Sequence, residues 1–91
     1  MQVQQSIRTK LEQEFTPLRL EIVDDSHRHA GHAGAHEQGE SHFRVELVSA
    51  AFRGKGRAER HRLIHRTLSA ELSDRVHALS LRLLTPEEDT E

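Results

Sequence analysis

The sequence predicts a small mixed fold of the α/β (α+β) kind: a three-stranded mixed sheet covered by helices on one face, in the order α-β-β-α-β. Three observations predict it. Two segments repeat their apolar residues every three to four positions, as amphipathic helices do. Three shorter segments alternate apolar and polar residues, as strands covered on one face do. A chain of 91 residues has room for one core and not for two.

Val3, Ile7, Leu11 and Phe15 recur at helical spacing with polar residues between them, and Pro17 stops that helix. Leu18, Leu20 and Ile22 then alternate with Arg19 and Glu21, predicting a first strand that Asp24-Asp25-Ser26 ends. From 25 to 40 the chain is rich in Ala, Gly and His with no apolar period, and it reads as a long loop. Phe43, Val45 and Leu47 alternate with Arg44 and Glu46 as a second strand, followed by a turn at Gly54-Lys55-Gly56. His61, Ile64, Leu68 and Leu72 place one helix over 57–72. Leu79, Leu81 and Leu83 make a third strand, closed by Pro86. Residues 1–85 thus form a single domain, and 86–91 read as a loose acidic tail.

The first two strands, joined by a loop, are expected to pair antiparallel. The third returns through a helix and is expected to lie parallel to the second by a right-handed crossover. Parallel strands begin at the same end of the sheet. His77, at the entry to strand three, should therefore emerge where the histidine loop enters strand two.

Composition excludes several classes of function. There is no Cys, so disulfides, thiolate catalysis and Cys-only metal sites are out, and soft-metal chemistry must borrow sulfur from a partner. The N-terminus lacks the apolar stretch of a secretory signal and no segment is apolar enough to span a membrane, which makes cytoplasmic residence the expectation. No Ser-His-Asp order, phosphate loop or paired carboxylates stand out, so an enzyme is not expected.

The anomaly is histidine: eight residues where ordinary usage supplies about two. His27, His29, His32 and His36 lie in the loop and His42 at the strand entrance. Neutral imidazole suits Zn, Ni, Cu and Fe, and several on one loop can wrap an ion, although His-x-His-x-x-His matches no closed zinc pattern. The plain alternative is a solvated loop with no dedicated ligand. His77 reads either as a half-buried histidine near a helix end or as a ligand positioned by a rigid strand. His61 and His65 form an i,i+4 pair, but His61 is on the apolar stripe and reads as a core residue; no Glu completes a metalloprotease pattern. Arg53, Lys55, Arg57, Arg60, Arg62 and Arg66 form a basic run against one acid, Glu59. It could contact DNA phosphates, yet it offers no Gly-x-x-Gly clamp and no aromatics for base stacking, and such runs are commonly solvated helix faces.

Three segments together resemble the BolA family: Glu40 to Ser49 (ESHFRVELVS), Arg60 to His65 (RHRLIH) with Leu68 and Glu71-Leu72, and Val76 to Leu81 (VHALSL). Asp24-Asp25-Ser26 followed by His29 is similar to that family's exit from strand one. The resemblance implies a KH-like (type II) BolA fold and pairing with a monothiol glutaredoxin around a [2Fe-2S] cluster. In that pairing the glutaredoxin cysteine and a bound glutathione supply sulfur. The family's invariant nitrogen ligand corresponds to His77, and its variable His-or-Cys loop ligand corresponds best to His29. The loop is longer and richer in histidine than the family pattern, so His32, His27 or His36 could replace His29. The resemblance also implies roles in iron–sulfur cluster assembly, trafficking or iron regulation, with DNA-binding transcription regulation through 53–66 as the alternative. Metal binding by the histidine-rich loop alone, without a partner, is a third reading.

Overall fold

The computed structural model describes residues 2–24, 42–74 and 76–89. Helix α1 (Gln2–Phe15) buries Ile7, Leu11 and Phe15 along the stripe that the spacing predicts. It ends where Thr16 adopts a left-handed φ of 45° and Pro17 bars continuation. Strand β1 (Arg19–Asp24) starts one residue later than the alternation suggests. Leu18 lies in the bend before it with its side chain 73% exposed. Its N–H is committed to the Val48 carbonyl at 2.8 Å, so the backbone joins the sheet while the side chain does not join the core.

Strand β2 (His42–Val48) is central, antiparallel to β1 and parallel to β3 (Ala78–Leu84). Its alternation is clear: Phe43, Val45 and Leu47 are buried while Arg44 is exposed. Ser49 then caps a short 3-10 helix, Ala50–Phe52. Its hydroxyl donates to the Phe15 carbonyl at 2.6 Å and accepts from the Ala51 N–H at 3.0 Å, tying the end of α1 to the end of β2. Phe52 is wholly buried against Phe15, with ring centroids 5.3 Å apart. Gly54 takes φ 77° in the turn that follows, a conformation that costs glycine little.

The helix expected over 57–72 is two helices, α2 (Arg57–Thr67) and α3 (Ser69–Asp74). The break is Leu68, which leaves helical geometry at φ −102°, ψ 22° while its side chain stays in the core. Glu71 on α3 accepts hydrogen bonds from Ser6 and Lys10 of α1, and the Val76 N–H reaches the Glu71 carbonyl at 3.0 Å. Val76 is itself buried, so the chain is anchored just before His77.

The core gathers Ile7, Leu11, Ile22, Phe43, Leu47, Phe52, Ile64 and Leu68 from both layers. Each such side chain contributes roughly 1.5–3 kcal/mol by leaving water. Among the described residues no helix is long and apolar enough to cross a membrane.

Candidate functional site

Three chain segments meet at one end of the sheet. Asp24, the last residue of β1, pairs with Phe43, and His42, the first residue of β2, pairs with Ala78, the first residue of β3. Residues 25–41 therefore leave from and return to the end at which β3 begins, as the parallel pairing predicts. His77 is exposed and His42 half-buried. Their rings meet edge to face with centroids 6.3 Å apart and planes at 80°. Strict alternation would aim them at opposite faces of the sheet, but His77 precedes the ladder and the strand phase no longer governs it.

The four loop histidines, His27, His29, His32 and His36, lie outside the described residues. Among the described residues no three His, Asp or Glu side chains converge as a metal-binding group. The expectation that His77 emerges where the histidine-rich segment enters strand two agrees with this placement, and the structure adds the ring contact between His77 and His42. On α2, His61 is half-buried and His65 exposed.

The basic flank is less open than the sequence suggests, because the acidic segment read as a loose tail folds back onto it. Arg60 donates to the Glu88 carboxylate at 2.7 and 3.1 Å. It also donates to the carbonyls of Lys55 and Leu83, each at 2.9 Å, and its guanidinium lies 5.8 Å from the Phe52 ring centroid. Its side chain is only 13% exposed, so it is a structural arginine. Arg53 pairs with Glu87, and Arg19 pairs with Asp89 at 2.9 Å and Glu46 at 3.1 Å. The hydrogen bond from Arg60, with help from the Thr85 N–H, holds the Glu88 carboxyl down at about 2. Arg57, Arg62 and Arg66 remain exposed along α2, with Lys55 half-buried in the turn. Lys55, Arg57, Arg60, His61, Arg82 and Glu88 line a shallow groove between α2 and β3.

The sequence matches the BolA-like protein family over residues 11–88. SufE-like protein 1, chloroplastic/mitochondrial, of Arabidopsis thaliana is 49% identical over 86 residues, covering 90% of this chain but only 23% of that protein. The DNA-binding transcriptional regulator BolA of Escherichia coli (strain K12) is 47% identical over 88 residues, covering 97% of this chain and 80% of that one. The structure of BolA1 from Arabidopsis thaliana superposes with a TM-score of 0.84 at 38% identity, covering 96% of this chain and 95% of that chain.

Proposed function

The chain belongs to the BolA-like family, and from that premise we propose that it is a non-enzymatic adaptor that pairs with a monothiol glutaredoxin and co-ligates a [2Fe-2S] cluster. His77 supplies one nitrogen and a loop histidine, His29 first among them, the other. The observation that carries this reading is an exposed imidazole on an anchored strand end, at the same edge from which the histidine-rich segment leaves and returns. The donor set fits such a cluster: iron accepts imidazole nitrogen, and a chain without cysteine must take sulfur from its partner. Once bound, the cluster would supply transferable iron and sulfide, with a potential raised by imidazole ligation. The chain's own part is to hold His77 outward: Val76 buries itself and the Glu71 carbonyl fixes its N–H. The test is to mix the chain with a holo-monothiol glutaredoxin and follow visible absorption and circular dichroism with a sizing column. An altered cluster spectrum and a heterodimer are expected, both diminished more by His77→Ala than by His29→Ala. An unchanged spectrum with no complex sinks the reading.

A second reading, DNA binding in transcription regulation, is favoured by the name of the Escherichia coli relative and by the exposed Arg57, Arg62 and Arg66. Any affinity would come from phosphate contacts and fall steeply with salt. Replacing Arg62 and Arg66 by Ala should abolish DNA binding and spare glutaredoxin pairing. Tight sequence-selective binding that survives high salt would make DNA the leading function.

A further inference from the structure

We propose that the outer edge of β3, with the groove beside it, docks an extended acidic peptide segment of a partner protein, taken up as an added strand. β3 ends the sheet, and among the described residues no strand pairs with its outer side. Its register with β2 runs unbroken from Ala78 to Leu84, and the Ser49 N–H bonds the Leu84 carbonyl at 2.9 Å. Ser80, Arg82 and Leu84 therefore turn their backbone groups toward β2, and Leu79, Leu81 and Leu83 turn theirs outward. Arg60 takes the outward carbonyl of Leu83, which leaves the N–H and C=O of Leu79 and Leu81 for an incoming strand. Exposed edges are ordinarily blunted by charge, proline or a bulge. Ala78, Leu79, Ser80 and Leu81 carry none of these.

Charge selects an acidic occupant. The groove between α2 and β3 has a volume of about 450 Å³, with Leu81 and Leu84 on its apolar side and Lys55, Arg57 and Arg82 in its basic lining. Neither Lys55 nor Arg57 has an acidic partner among the described residues, and Arg82 has only Glu46 at 3.6 Å. Gly56, also in the lining, begins α2 without a side-chain cap, so the partial positive charge of that helix end adds to theirs. The acid in the lining, Glu88, is already seated, its carboxylate accepting from Arg60 at 2.7 and 3.1 Å. The C-terminal turn thus makes within the chain the contact that a partner's carboxylates would repeat at Lys55 and Arg57.

A segment that alternates acidic and apolar residues meets both demands. Its backbone completes the edge bonds, which supply affinity, and its side chains alternate between the two faces, which supplies selectivity. On one face apolar residues cover Leu79 and Leu81, both half-buried. On the other, carboxylates meet Arg82, with Lys55 and Arg57 at the end of the strand. Nucleic acid suits the groove less well, because its lining holds no Phe, Tyr or Trp on which a base could stack. The site needs neither a cluster nor any histidine.

The experiment titrates the full chain into a capped, fluorescein-labelled peptide of alternating Glu and Val, about eight residues long so as to run the length of β3. Fluorescence anisotropy reads the affinity, and amide NMR with hydrogen exchange reads the docking position. Binding is expected, with exchange at the Leu79 and Leu81 amides slowed by about tenfold once roughly nine-tenths of the chain is bound. Lys55→Gln with Arg57→Gln should weaken binding by about tenfold, since each surface charge pair contributes up to about fivefold. Neither side chain is in the core, so circular dichroism of this variant should match the parent. No binding, equal affinity for a Lys and Val peptide of the same length, unprotected Leu79 and Leu81 amides, or an affinity unchanged in the double variant would each overturn the proposal. Tighter binding of an oligothymidine strand at the same amides would assign the groove to nucleic acid. The same amide shifts on concentrating the chain alone would assign the edge to a second copy, and either outcome also overturns the proposal. Since no glutaredoxin is present, every result leaves the cluster reading to its own test.

Discussion

Glu71→Gln measures how firmly the approach to His77 is held. The Glu71 side chain is 9% exposed, and the Lys10 Nζ lies 3.0 and 2.9 Å from its two oxygens, with Ser6 donating as well. Glutamine keeps an acceptor for Ser6 but loses the charge that Lys10 answers. A hydrogen bond to a charged group contributes about 1.5–3 kcal/mol where water is excluded. Lys10, however, is 38% exposed, which moves the pair toward the weaker surface range of about 0–1 kcal/mol, and a neutral side chain is cheaper to bury. The net loss is about 1 kcal/mol, which lowers Tm by about 4–8 °C in a domain of this size. The pH dependence has a definite sign. Burial by itself pushes the Glu71 carboxyl up, but the bonds from Ser6 and Lys10 outweigh it and hold it below its ordinary value. Its stabilisation is therefore fully present above the ordinary carboxylate range and is lost as pH falls through the lower folded value. Thermal melts of both chains by circular dichroism, from neutral pH down to about pH 3, should show the Tm gap narrowing on acidification. A variant as stable as the parent at neutral pH, or a gap that widens in acid, refutes the reasoning.

Leu47→Ala, at a wholly buried position of the central strand, should cost about 2–5 kcal/mol by chemical denaturation, a large part of a small domain's total stability. If the chain binds duplex DNA, Lys55, Arg57, Arg62 and Arg66 supply at most four phosphate contacts, because Arg53 and Arg60 are occupied. At about 0.9 per contact the slope of log K against log salt is then about −3.6, measurable by fluorescence anisotropy. Glu87→Gln should release Arg53 and steepen that slope to about −4.5, whereas a parent slope steeper still would show that the acidic segment masks nothing. The Glu88 carboxyl, depressed to about 2 by Arg60, holds the C-terminal turn, so that turn is intact above the ordinary carboxylate range and opens as pH falls through about 2. The Thr85 amide, which donates to Glu88 at 3.0 Å, should report this by NMR, and a midpoint near the ordinary value of 4.5 would contradict the Arg60 bond.

Periodicity alone determined the layers of this protein. Which residues of α1, β2 and β3 face the core follows from spacings of three to four and of two, because each element must bury one face, and the structure buries Ile7, Leu11, Phe43, Val45, Leu47 and Leu83 accordingly. The parallel return of β3 was also legible, since a helical connection between neighbouring strands admits few other solutions. Tertiary structure decided what local pattern cannot encode. The apolar stripe from His61 to Leu72 continues across Leu68, so the break between α2 and α3 is invisible in it. Leu18 looks like a core residue from its alternation, but its backbone is called to Val48 before the strand begins. Charge along the chain separates the basic run from the acidic end by some twenty residues, and only the fold brings Glu87 to Arg53 and Glu88 to Arg60. The same holds for the histidines: composition announced them, but the approach of His42 to His77 to 6.3 Å depends on a strand register. A register is a property of two segments paired in space, and no single stretch of sequence contains it.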